Sequence, residues 1–481
     1  MTARNAPVAQ LDRALPSGGR GQGFESLRAR HIPHEISLLH VFGAASEPSR
    51  WIGTLSASLK EPCRDAAPPG QTPEDGGHPV KIAIMVDRFP VISETFILNQ
   101  ITGLLDLGHD VHVIADARSD GRPHPDVHRY GLLNRTHVPE IPEGARNRIS
   151  GALRAFHGRS AEDRGLLLRS TNPIRWGREG LSLELLFRCL HHLDSEYDII
   201  HCHFGHNGNR AAKLKAIGAT RAKVVTTFHG RDIRRAAAEG PGVWPHLRRH
   251  GDRFLAISRH SREVLLSLEF PADRIVQQPV GIELEKFPFR ARSRAADPTR
   301  TTVRILSVGR LVWEKAHDVG LRAVKLVLER NPGWKIHYTI VGEGRLREAT
   351  AATVRDLGLE GVVELAGALD EVGVAAAMAD ADIFMLPSIA EVLPLALMEA
   401  LATGLPVVAT RVGAISEIIQ EEDTGYLAPP GDPVALASQL ERLLSHPERH
   451  AEMGRLGRAS IEEHFDVSRL NRRLVEIYQS I

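Results

Sequence analysis

Glu391 and Glu399 stand with seven residues between them in the segment EVLPLALME, directly after an apolar run, ADIFMLPS (381–388), of the kind that forms a buried strand. Pro394 fits the first turn of a helix, because its fixed φ suits that turn and its missing N–H is not needed there. Glu391 then sits in the loop before the helix, with Glu399 inside it. A helix N-terminus at the mouth of a parallel sheet presents unpaired N–H groups and the positive end of the helix dipole, so it suits a diphosphate. The loop carboxylate is placed to meet sugar hydroxyls, and the helical one to accept both hydroxyls of a ribose. Taken alone, the pair reads equally as two ordinary helix glutamates.

Other residues of this kind recur at strand ends. In SVGRLVWEKAHD (307–318), Arg310 ends a strand and Lys315 follows five residues on at a helix start, a pair able to neutralise a leaving diphosphate without a metal ion. The same two residues also read as a surface pair on a βα loop. In VGEGR (341–345), Gly342 and Gly344 end another strand, where a ligand can approach the backbone closely. Arg347 stands where the third glycine of a dinucleotide fingerprint belongs, which disfavours an oxidoreductase. TTFHGRD (226–232) places His229 and Gly230 at a strand end; the histidine reads as a cleft residue that hydrogen-bonds a sugar hydroxyl or backbone, or as a packed one. HCHFGH (201–206) suggests zinc, but alternation puts His201 and His203 on one strand face and Cys202 on the other, so no metal site is assigned.

The elements that position these residues follow a strand–helix rhythm. The strands are expected in VKIAIMVD, DVHVIAD, YDIIHCHF, KVVTTFHG, RFLAIS and RIVQQPVGI, then in TVRILSVGR, WKIHYTIVG, VVELAGA, ADIFMLPS and PVVATRVG. Ser93 opens the helix after the first strand and Gly108 closes it. Such alternation predicts an α/β protein with two Rossmann-like, doubly wound parallel sheets and ligands in the cleft between their carboxyl ends. The expected domains are 79–286 and 301–465, joined by a Pro-, Arg- and Ser-containing linker at 287–300. A final helix at 466–481 returns to the first domain.

The chain of 481 residues is long enough for two cores, is 42% apolar and 25% charged, and has no apolar run near the length of a membrane span. Three cysteines and the lack of a signal-peptide pattern predict a reducing, cytoplasmic setting. Its near-zero net charge hides a basic block: residues 145–260 hold 21 Lys and Arg against 10 Asp and Glu. That block suits a polyanion or an anionic membrane surface, or simply solvates helix faces. No nucleic-acid partner is expected. Residues 1–78 lack periodicity, and VAQLDRA followed by GFESLRAR resembles the translation of a transfer-RNA gene, so this stretch is set apart from the fold as a non-native or disordered extension.

In order and spacing, FPVISETFILNQI, TTFHGRD, VGIELEKF, SVGRLVWEKAHD, VGEG, the glutamate pair and TGYLAPPGD resemble the retaining GT-B glycosyltransferases of family four, closest to the bacterial exopolysaccharide and colanic-acid branch. The resemblance covers about 80–481. It implies a retaining, metal-independent hexosyl transfer with no cofactor, from a nucleotide diphosphate sugar to a glycan or lipid-linked acceptor; the basic block adds the expectation of a cytoplasmic protein peripheral at the inner face of the membrane. It implies His229 and Glu391 beside the reacting sugar. The donor would be held by Arg310, Lys315, Gly342, Glu343, Pro394, Leu395 and Glu399. Val392 and Ala316 stand where the family has glycine, which bears on the width of the sugar pocket. A donor-binding protein without activity and a nucleotide-sugar epimerase are the alternatives on the same scaffold. A sugar phosphorylase lacks its pyridoxal lysine.

Overall fold

The structure, a computed structural model, describes residues 78–91, 94–119, 121, 123–292 and 302–481. The extension over residues 1–77, Ser93 as a helix start, and linker residues 293–300 lie outside the described residues.

Seven strands form the first sheet: β1 (Lys81–Phe89), β2 (Asp110–Arg118), β3 (Thr136–His137), β4 (Ile199–His203), β5 (Lys223–Phe228), β6 (Arg253–Ala256) and β7 (Ile275–Gln277). Six form the second: β8 (Thr302–Val308), β9 (Lys335–Val341), β10 (Val363–Gly367), β11 (Ile383–Leu386), β12 (Val407–Thr410) and β13 (Gly425–Ala428). Their orders are β3-β2-β1-β4-β5-β6-β7 and β10-β9-β8-β11-β12-β13, with every pairing parallel. The order reverses between β1 and β4 and again between β8 and β11, and at such points the outgoing loops diverge and leave a crevice.

Both sheets are covered on both faces, and the strands read accordingly. Ile82, Ile84 and Val86 pack into one core layer, while Ala83 and Met85 pack into another. Residues Val303 and Ile305 likewise face one layer of the second half and Leu306 the opposite one. Continuous apolar runs are what a two-sided strand needs. All eleven expected strands are present. Two more, β3 and β13, lie outside the expected runs. RIVQQPVGI pairs only over Ile275–Gln277, because Pro279 has no N–H for a ladder and the chain turns toward the second half.

The helix Thr95–Asp106 buries Ile97, Leu98, Ile101 and Leu104, a helical stripe that covers the first sheet. Gly108, with φ of +85°, follows its end. Over it lies the closing helix Val467–Gln479, capped by Asp466, which packs Leu474, Val475, Ile477 and Tyr478 into the same core as Ile82 and Ile101. A Cβ on Gly103 would meet Asn471 Nδ2 at 1.9 Å, so the absent side chain sets how closely the two helices approach. The chain passes between the halves at two neighbouring places: Ile282 N–H donates to Phe465 O (2.9 Å) and Val467 N–H donates to Ile282 O (3.1 Å). Ile282 and Phe287 are buried in the core of the second half.

Candidate active site

Loops from β8 and β11 meet at the switch point of the second sheet. Glycine at 342, with φ of +143°, lets its loop lie against the neighbouring one: a Cβ there would sit 2.0 Å from Gly309 O. A Cβ on Gly344 would be 2.4 Å from Leu311 O. On the side where a Cβ would project, each glycine is therefore closed off by the adjacent backbone. Leu311 N–H donates to Glu343 O (2.9 Å) across the same seam, and the Glu343 side chain pairs with Arg347 (2.8 Å).

The Lys315 side chain lies over Gly309, whose Cβ would be 3.3 Å from its Cδ and Cε, and its ammonium donates to Glu391 Oε1. Ser388 Oγ donates to the same oxygen at 2.8 Å. Both charges of this pair are largely buried. Ala316 adopts the left-handed conformation (φ +44°) that turns the chain from the Lys315 turn into the helix His317–Arg330, a position where glycine would be unstrained. Arg310 is exposed, and no acidic partner holds its guanidinium among the described residues.

Pro394 is the N-cap of the helix Leu395–Ala402, one residue earlier than a first-turn proline would stand. The N–H groups of Leu395 and Ala396 have no protein acceptor among the described residues, since the first bonds run from Leu397 and Met398 to Pro394 O. Within this helix Glu399 is half-buried, and no protein group donates to its carboxylate among the described residues. Burial, reinforced by the negative charge of Glu371, pushes its carboxyl up to about 7.

From the first half, the N-terminus of the helix Gly230–Glu239 meets this loop. A Cβ on Gly230 would lie 2.6 Å from Val392 Cγ2. The residue beside Glu391 and the residue beside His229 are therefore in contact across the two halves, and Val392 is buried there. His229 itself is packed: its N–H donates to Asp232 Oδ1 (2.8 Å) within a reciprocal capping box, and its Nε2 lies 3.0 Å from His203 Nδ1. Phe96 and Phe204 flank the ring. Burial, followed by the neighbouring His203, holds its pKa well below the usual histidine range. Of the two readings of this histidine, the geometry is that of the packed one.

Asp232 escaped the sequence reading. It accepts from Gly205 N–H (2.9 Å) as well as from His229, tying the loops after β4 and β5 together, and burial pushes its carboxyl up to about 6. An acid three residues after a helix cap is the capping-box spacing, so the signal was present in HGRD. Ser388, which left no such signal, is placed only by the fold. His201 packs against Gln100, Thr227 and Tyr478, and Cys202 belongs to the core of the opposite face.

Several solved structures share this fold. Anabaena HepE in complex with UDP matches with a TM-score of 0.63 at 17% identity, over 83% of this chain and 100% of that one. Sucrose-phosphate synthase from Thermosynechococcus elongatus matches with a TM-score of 0.61 at 19% identity, over 83% and 98%. Two parallel sheets facing one cleft with this topology define the GT-B class. A family model described as Glycosyltransferase Family 4 matches residues 93–286, and one described as Glycosyl transferases group 1 matches 302–446. The amylovoran biosynthesis glycosyltransferase AmsK of Erwinia amylovora is 33% identical over 416 residues, 84% of this chain and 100% of the relative. WcaL of Salmonella typhimurium, named as a colanic acid biosynthesis glycosyltransferase, is 31% identical over the same shares. The chain belongs to this glycosyltransferase family, in the group that contains the exopolysaccharide and colanic-acid enzymes.

Proposed function

We propose that this enzyme is a retaining, metal-independent hexosyltransferase that moves a sugar from a nucleotide diphosphate donor to a glycan or lipid-linked acceptor in surface-polysaccharide assembly. The observation that carries the reading is the convergence of Lys315, Glu391, the unengaged Arg310 and the open N-terminus of the helix Leu395–Ala402 at one switch point. Arg310, Lys315 and the N–H groups of Leu395 and Ala396 hold the diphosphate, and Glu399 accepts the ribose hydroxyls. The UDP bound by HepE, on the same fold, is consistent with such a donor.

In the transfer, the bond from the sugar C1 to the diphosphate oxygen breaks and the acceptor oxygen bonds C1 on the same face. The acceptor proton passes to the departing phosphate. Charge grows on that phosphate as the bond lengthens, and the two cations Arg310 and Lys315 stabilise it more than they stabilise the bound donor. Glu391 accepts hydrogen bonds from Lys315 and Ser388, which blunt it as a nucleophile, so its role is to fix Lys315 and face the positively charged sugar ring. From its capped position His229 aims the N-terminus of the helix Gly230–Glu239 at the sugar.

Arg310→Ala tests the reading. Turnover should fall by orders of magnitude, since one such charge supplies roughly 3–4 kcal/mol, while chelation of divalent ions leaves the native rate unchanged. Activity abolished by chelator and restored by manganese would sink it.

A further inference from the structure

Half of the large apolar side chains most exposed on the described residues belong to one short stretch. Between β3 and β4 the chain forms the helices Ala145–Phe156, Ala161–Ser170, Pro173–Trp176 and Arg178–Leu181. Within them Ile149 is 55% exposed, Leu153 70%, Leu168 62%, Ile174 97% and Leu181 73%. The stretch also has a buried side. Leu166, Leu167 and Trp176 pack into the first core, so the outward residues are not needed to anchor it. An ordinary solvent-facing helix carries polar residues there. On the helix Ala145–Phe156 the arrangement is regular: Ile149 and Leu153 lie one turn apart on a face shared with Arg146, Ser150 and His157, all of them exposed.

Charge surrounds these apolar groups. Residues 145–181 contain eight arginines against Glu162, Asp163 and Glu179. Arg159 pairs with Asp194, Arg148 donates to Pro142 O and Ser182 O, and Arg175 lies over the Trp176 ring. Arg146, Arg154, Arg164, Arg169 and Arg178 are exposed, and no acidic partner holds them among the described residues. Glu179 is already taken by Lys213. Exposed Ile and Leu interleaved with unpaired arginine suit a surface that is negatively charged outside and apolar just beneath, which describes an anionic bilayer better than a folded protein partner.

We infer that the stretch Ala145–Leu181 seats this enzyme on the anionic leaflet of a membrane, with Ile149, Leu153, Leu168, Ile174 and Leu181 entering the headgroup region and the arginines meeting lipid phosphates. This deepens the reading of a lipid-linked acceptor and rests on it: docking by the first half would bring the cleft to such an acceptor while leaving the donor half free to move.

Vesicle cosedimentation of the full chain tests it, with phosphatidylcholine alone and with added phosphatidylglycerol. Binding should require phosphatidylglycerol and fade as salt rises. The double variant Ile149→Ser, Leu153→Ser should lower partitioning about tenfold or more, and Arg146→Gln or Arg154→Gln about fivefold each. These sites are exposed, so melting temperature and transfer to a water-soluble acceptor should not change. The proposal is overturned by no binding, by equal binding to neutral vesicles, or by variants that bind as the native chain does. It is also overturned if the same substitutions dissociate a dimer of the free protein, because a second copy would then be what covers this face. Vesicle binding supports it even where no sugar transfer is found, and its absence overturns it even where transfer is strong, so the two readings fail separately.

Discussion

Glu399 is the residue whose chemistry the fold has altered most usefully. If Glu399 holds the ribose as proposed, its ionised form is the better acceptor, and burial together with Glu371 holds its carboxyl near 7. Nucleotide diphosphate should therefore bind more tightly as pH rises through about 7 and more weakly below it. Calorimetric titration from acid to mildly alkaline pH should show that dependence in the native enzyme and not in Glu399→Gln. The same shift has a stability consequence of opposite sign. A buried carboxyl with a raised pKa favours folding while it is neutral, and that contribution is lost as pH rises from the unfolded-state value toward 7. Glu399→Gln should stabilise the free enzyme by about 3 kcal/mol at pH 8 and by almost nothing at pH 4.5. A melting temperature that responds equally at both values would refute the burial of that charge. Glu391 should behave differently, because Lys315 and Ser388 already satisfy it: Glu391→Gln should lower turnover with donor affinity nearly kept.

Among the elements, the contact between the helix Gly230–Glu239 and the loop before the helix Leu395–Ala402 joins the two halves at the cleft. A glycine at 230 is required there because Val392 fills the space a side chain would take. Gly230→Ala should thus cost activity and stability, and the added substitution Val392→Gly should recover both, with a coupling energy of roughly 0.5–3 kcal/mol. Val392→Gly alone should keep activity and broaden donor choice, read by turnover with a panel of nucleotide sugars. Additive losses in the double variant would mean that the two residues do not meet in solution. The helices themselves were legible. The apolar stripe in TFILNQITGLLD, and Pro394 following the strand ADIFMLPS, were enough to place them. Their caps were less so: Pro394 sits one residue earlier than its usual station, and the capping-box spacing in HGRD was present but passed over.

At the scale of the whole molecule, the closing helix fastens the two halves. It adds Leu474, Ile477 and Tyr478 to the first core, and Gln278 Nε2 donates to Leu470 O (2.8 Å) beside the crossing point. A shortened chain beginning near Gly77 should match the full one in melting temperature and turnover, and a clear loss in either would refute setting residues 1–78 apart from the fold. Removal of the chain from Val467 onward should instead destabilise the first half, because Ile82, Ile97 and Ile101 would lose the apolar cover they share with that helix.

The sequence by itself determined the class of fold and the candidate residues, because two-sided strands, helix stripes and strand-end motifs are local patterns that survive in one dimension. What the tertiary structure decided were relations between distant segments. Lys315 and Glu391 became an ion pair, and Gly342 and Gly344 became seats for neighbouring backbone. His229 came to lie against His203, and five apolar side chains between β3 and β4 were left facing outward. None of these can be read from spacing, since each depends on which loops a parallel sheet brings together at its switch points and on which faces its packing leaves uncovered.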